Sequence, residues 1–118
     1  MFKKVKTYTL NRVRDQVTFR EGNEEITLHV DADANAIVRR IQQAQEKLQA
    51  IKADSTREDR RAAAIALSQA LFGDDQTDRL FEFYHDDESS VVTICGMYFA
   101  DPKNGLGKKI TATQKKRR

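Results

Sequence analysis

Residues 17–30 read Val17-Thr18-Phe19-Arg20-Glu21-Gly22-Asn23-Glu24-Glu25-Ile26-Thr27-Leu28-His29-Val30. Apolar and polar residues alternate on both sides of Gly22-Asn23, with Val17 and Phe19 before it and Ile26, Leu28 and Val30 after it. A period of two sends every second side chain to one face, the pattern of a half-buried strand. Gly22-Asn23 supplies residues that accept a positive φ, so the stretch predicts a β-hairpin. Upstream, Val5, Thr7 and Thr9 alternate with Lys6, Tyr8 and Leu10, which allows a third strand over residues 5–10.

Downstream the period changes. Asp31 and Asp33 mark a helix start, because a carboxylate there caps orphan N–H groups and meets the positive end of the helix dipole. A helix is expected from about Ala34 to Ala53. Ile37, Ile41, Ala44, Leu48 and Ile51 recur at spacings of four and three and form one narrow amphipathic stripe. Ser55-Thr56-Arg57-Glu58 has the form of a capping box, a hydroxyl followed three residues later by Glu. It opens an alanine-rich second helix that Gly73 closes near Phe72. The short connection makes the first two helices an antiparallel hairpin.

Asp74-Asp75 opens a third, short helix reaching Tyr84, with Leu80, Phe81, Phe83 and Tyr84 on it. Residues 91–99 carry β-branched side chains that suit a strand. The spacing of Val91, Ile94, Cys95, Tyr98 and Phe99, and the acidic residues before it, suit a helix better. Asp101-Pro102 ends that element. The expected architecture is α+β and mainly α: an N-terminal hairpin, then about four helices. Residues 1–102 read as one domain and residues 103–118 as a basic, flexible tail.

Composition narrows the class. The chain has 118 residues, enough for one modest core. With 39% hydrophobic and 33% charged residues, apolar side chains must be concentrated on defined faces. A single cysteine, Cys95, rules out a disulfide within the chain and sits in an apolar run, as a buried thiol does. No secretory leader and no run of membrane-span length is visible, so a cytosolic protein is expected.

Catalytic patterns are missing. There is no phosphate-binding Gly loop followed by Lys-Ser or Lys-Thr, no nucleophile elbow, and no pair of histidines at metal-ligand spacing. His29 points outward on its strand, and His85 lies among Asp86, Asp87 and Glu88. Carboxylates are plentiful, but nothing places two of them in one cleft with separated pKa values. An enzyme, a metal site and a cofactor are therefore not expected.

Charge is distributed unevenly. Residues 74–88 hold seven acids and one Arg, and residues 103–118 hold seven cations and no acid. Lys108, Lys109, Lys115, Lys116, Arg117 and Arg118 make the tail strongly basic. Such a tail suits nucleic acid through phosphate neutralisation. No base-stacking aromatic platform is interleaved with the cations. A small nucleic-acid-binding regulator is the alternative reading, and protein binding is the preferred one.

The C-terminal half carries a further pattern: Ala70-Leu71-Phe72-Gly73, Leu80-Phe81-Glu82-Phe83-Tyr84, Val91, Cys95, Tyr98-Phe99, and Lys109-Ile110-Thr111-Ala112-Thr113-Gln114-Lys115-Lys116. Over residues 63–118 this resembles the tail assembly chaperones of long-tailed phages and prophages. The resemblance implies a helical or α+β protein that binds the phage tape measure protein, keeps its apolar faces soluble and helps recruit tail tube subunits. It implies a homo-oligomer in the cytoplasm of the bacterial host, absent from the mature virion, with no membrane partner. One wall of a client groove would be Ile37, Ile41, Leu48 and Ile51. The other would be the aromatic cluster of Phe72, Phe81, Phe83, Tyr84, Tyr98 and Phe99, with Phe81, Tyr84 and Tyr98 foremost. Core packing is the competing role for each of these residues.

Overall fold

A computed structural model describes the backbone of residues 11–116 and the side chains of residues 11–110. Its elements are β1 (Arg12–Glu21), β2 (Glu24–Asp33), α1 (Ala34–Gln49), α2 (Arg57–Phe83), α3 (Glu88–Ala100) and α4 (Gly105–Lys116). The expected mainly helical α+β architecture is present. The third strand suggested over residues 5–10 lies outside the described residues.

The strands pair antiparallel around Gly22-Asn23, with Phe19 opposite Ile26 and Val17 opposite Leu28. This register sets Val13, Asp15, Val17 and Phe19 on the inner face with Ile26, Leu28, Val30 and Ala32. Asp33 then joins hairpin to helix. One carboxylate oxygen accepts the Asn11 N–H and the other the Ala36 N–H, which caps α1. Ile37 and Ile41 of α1 are fully buried in the core that the hairpin and α2 share.

α1 ends at Gln49, earlier than the periodicity suggests. The Ile51 N–H turns back to the Leu48 carbonyl, so Ile51 belongs to the connection. The capping box of α2 is one residue later than expected: Thr56 pairs reciprocally with Asp59, while the Ser55 hydroxyl accepts the Lys52 N–H.

α2 is broken at Gly73, whose φ of 80° and ψ of 175° belong to a region essentially reserved for glycine. Contacts on either side of Gly73 show that the chain doubles back there. Ser68 shares a buried hydrogen bond with Thr77 at 2.8 Å. Farther out, the Arg61 guanidinium lies 4.8 Å from the Phe81 ring centre and 3.2 Å from Asp86. The expected stop at Gly73 is thus present as a reversal between two helical arms.

The second arm ends in a Schellman closure. The Asp86 N–H reaches the Phe81 carbonyl and the His85 N–H reaches Glu82, with His85 at φ 54°. Residues 91–99 are helical. Asp87 caps α3 through the Ser89 N–H, and Val91, Cys95 and Tyr98 face the core. Phe72 ties the layers together, with its ring 6.0 Å from Phe19 and 5.9 Å from Tyr98.

The flexible tail expected from residue 103 is corrected: Gly105–Lys116 is a helix, and Leu106 is fully buried. Asn104 caps it through the Gly107 N–H, and the Lys108 N–H closes onto the Asn104 carbonyl. Asp15 supplies the rest. Its carboxylate accepts the Gly105 N–H at 3.0 Å and the Leu106 N–H at 3.3 Å. It also accepts the hydroxyl of Tyr98. A carboxylate on the inner face of β1 therefore seats the start of α4, where the helix dipole favours negative charge.

Candidate functional site

Of the seven residues expected to face a partner, five are core residues. Ile37, Ile41, Phe81, Tyr84 and Tyr98 are all buried. Their expected role as groove walls is corrected for a simple reason. A chain with few large apolar residues needs these to close its own core around the hairpin. Phe83 and Phe99, also in the aromatic cluster, are half-buried.

Leu48 and Ile51 remain. Both are half-buried, Leu48 in the last turn of α1 and Ile51 in the connection after it. They form the floor of a groove of about 510 Å3, together with Val92. Its rim carries Arg57 and Arg60 from the first turn of α2 and Glu88, Ser89 and Thr93 from α3. The Gly73 reversal creates this corner by returning the start of α3 to the start of α2. Arg57 then bonds Glu88 at 3.0 Å across the groove.

The groove is apolar below and charged above. Glu88 is held below the usual carboxylate range by a bond to its own backbone N–H and by Arg57. Arg57 is raised in turn by Glu88. Both stay ionised near neutral pH, so the rim carries an ion pair whose arginine is largely exposed. Arg60 reaches only the Lys52 and Ala53 carbonyls, at 3.5 Å, which leaves its charge without a carboxylate among the described residues.

Among the described residues, no three His, Cys, Asp or Glu side chains converge as a metal site. His85 serves as the helix-closing residue described above. Burial pushes the Cys95 thiol up to about 12, far from a reactive thiolate. Tyr98 is also raised, first by burial and then by its bond to Asp15. No described helix is long and apolar enough to cross a membrane.

The basic residues divide. Lys108 and Lys109 are exposed on α4, Lys115 and Lys116 lie in its last turn, and Arg117 and Arg118 lie outside the described residues. Sequence reasoning missed Arg57, Arg60 and Val92 as groove residues, because no local pattern announces a corner made by a chain reversal. It also missed Asp15, whose signal was present: an acid in phase with Val13, Val17 and Phe19. Comparison with protein-family profiles, curated proteins and solved structures finds no match.

Proposed function

We propose that this protein is a tail assembly chaperone of a long-tailed phage, acting in the bacterial cytoplasm and leaving before the virion is complete. Its client is the tape measure protein, and through that client it brings tail tube subunits to the growing tail. The observation that carries this reading is the groove with Leu48, Ile51 and Val92 as its floor and Arg57 and Arg60 on its rim. An amphipathic client helix lays apolar side chains on that floor and turns an acidic neighbour toward Arg60, the helix-in-groove mode. The sequence resemblance over residues 63–118 supplies the identity of the client.

Magnitudes favour many weak contacts over one strong one. Each Leu- or Ile-sized anchor contributes about 1.5–3 kcal/mol when buried. Association costs about 4–15 kcal/mol before any gain appears. Two or three anchors therefore hold a single copy weakly. A client with repeated apolar stripes gains from many copies bound side by side, which suits a homo-oligomeric coat on a long helical protein.

Co-expression with a tape measure protein, followed by pull-down at low and high salt, tests the reading. The client should become soluble, and the complex should persist at high salt because apolar burial dominates. Ile51→Glu and Val92→Glu should each release it. A client held equally well by both variants refutes the groove. A protein that instead retains DNA or RNA until salt is raised supports the alternative, a nucleic-acid-binding regulator using the basic residues of α4.

A further inference from the structure

The two edges of the hairpin are treated differently. The pair flanking the turn is Glu21 and Glu24, so bonded pairs fall at Phe19–Ile26, Val17–Leu28, Asp15–Val30 and Val13–Ala32. The remaining residues turn their main-chain groups outward. On β2 both groups of His29 and the carbonyl of Thr27, at the middle of the strand, are covered. The Gln76 side chain of α2 accepts the His29 N–H at 2.7 Å and donates to its carbonyl at 2.6 Å, as a neighbouring strand would. Arg79 reaches the Thr27 carbonyl. On β1 the outward groups belong to Arg12, Arg14, Gln16, Thr18 and Arg20. No main-chain partner faces them among the described residues.

Charge shows what fits that edge. Side chains on the outer face form two rows, cationic on β1 and anionic on β2. Asp31 is shared by Arg12 at 2.6 Å and Arg14 at 3.8 Å, and Glu25 meets Arg20 at 3.1 Å. Asp33, directly opposite Arg12, is occupied with the cap of α1. Three arginines thus share two carboxylates, and Arg14 and Arg20 are 78% and 74% exposed. On the inner face Val17 and Phe19 are half-buried, although their opposite partners Leu28 and Ile26 are buried. The edge strand has unused apolar surface on one face and unused positive charge on the other.

We propose that the β1 edge binds an extended, acidic segment of a second protein as a third strand. In an antiparallel register the segment carries an acid opposite Arg20, a second six residues later opposite Arg14, and a third two residues beyond opposite Arg12. Residues between them alternate, with apolar side chains covering Val17 and Phe19. Main-chain bonds supply affinity, and the acids select partner and register. Charged residues often guard an edge against pairing. Here the guard is selective, because it acts against other cationic strands. A second copy centred on Gln16 sets Arg12 against Arg20, and one centred on Val17 sets Arg14 against Arg20. The chain's own first residues include Lys3, Lys4 and Lys6, which have the same sign as the arginine row.

The test is amide hydrogen exchange of the full chain, read by NMR, with an eleven-residue peptide of this pattern bearing Glu and with its Lys counterpart. The Glu peptide should slow exchange at Arg14, Gln16 and Thr18 at least tenfold, and the effect should weaken as salt rises. The double variant Arg14→Glu, Arg20→Glu should lose the Glu peptide and accept the Lys peptide. That exchange of preference separates lost recognition from lost folding. Ile51→Glu in the groove should leave peptide binding unchanged. The proposal is overturned if neither peptide protects these amides. It is also overturned if protection without peptide rises with protein concentration, which assigns the edge to a second copy. Protection that disappears on deleting residues 1–10 overturns it too, and assigns the edge to the chain's own start.

Discussion

One chemical change, glycine to alanine, should have different consequences at Gly73, Gly96 and Gly105. At Gly73 an added Cβ meets nothing within 4 Å, so any cost is purely conformational. A φ of 80° with ψ of 175° costs an L-residue about 1–3 kcal/mol. Restricting the unfolded chain returns about 0.4–1 kcal/mol. Gly73→Ala should therefore destabilise by about 1–2 kcal/mol, a large share of a typical ~5–15 kcal/mol. Gly96 is an exposed residue inside α3 with the same open surroundings. Gly96→Ala should stabilise by about 0.5–1 kcal/mol through helix propensity alone. At Gly105 the Cβ would land on the Asp15 carboxylate. Gly105→Ala must displace the group that seats α4 and should cost about 1–3 kcal/mol. Urea denaturation of the three variants, with m-values compared, measures all of this. A Gly73→Ala effect below about 0.5 kcal/mol would refute the strain assigned to the chain reversal, and a loss of stability in Gly96→Ala would refute the propensity argument for α3.

Further expectations concern single groups. Asp15→Ala removes a helix cap and the acceptor of a buried hydroxyl, and should cost about 2–4 kcal/mol. In a double-mutant cycle with Tyr98→Phe the two effects should couple by more than about 0.5 kcal/mol, and simple additivity would deny the bond. Cys95 titrates higher folded than unfolded, so its stabilising contribution is complete below about pH 9 and fades as pH rises toward about 12. Urea midpoints should accordingly fall above pH 9, and at pH 8 a thiol reagent should label native Cys95 only as fast as the protein opens. A labelling rate equal to that of a free thiol would contradict its burial. His85→Gly should stabilise by about 0.5–1 kcal/mol, because it relieves a left-handed residue at the helix-closing position. A destabilised variant in the same urea assay would give His85 a role beyond that turn.

Legibility followed the range of the interactions. The hairpin was readable because period-two alternation and a two-residue turn are local signals, and Val17, Phe19, Ile26 and Leu28 lie where alternation puts them. The caps were nearly readable; Thr56 and Asp59 formed the box one residue past the expected place, since adjacent hydroxyls compete for one role. The candidate site was not readable as a site. Leu48 and Ile51 were in view as members of a stripe, but a stripe does not state which of its members the core covers. Its first members Ile37 and Ile41 are buried in the core, and its last two line the groove. Val92, Arg57 and Arg60 join them only because Gly73 returns the chain.

Asp15 shows how a local pattern contains a long-range instruction. The row Val13, Asp15, Val17, Phe19 is apolar except for one carboxylate. Facing a core, that carboxylate costs free energy unless donors surround it. Nearby cations do not serve, because Arg12 and Arg14 point to the opposite face and pair with Asp31. The donors must come from elements packed on the inner face, and the cheapest cluster of unused donors is the start of a helix. Asn104-Gly105-Leu106-Gly107, which reads as flexible, supplies such a start with little side-chain bulk. Gly105 lets the backbone approach the carboxylate, and Leu106 fills the space beside it. Helix α4 is therefore specified as much by a strand ninety residues earlier as by its own propensity. The exposed Lys108 and Lys109 it carries are held at a fixed position relative to the hairpin, so Asp15→Ala should free the basic segment to move while leaving the groove floor of Leu48, Ile51 and Val92 intact. Client binding retained in Asp15→Ala would separate the groove from the basic helix, and client binding lost would make α4 part of the site.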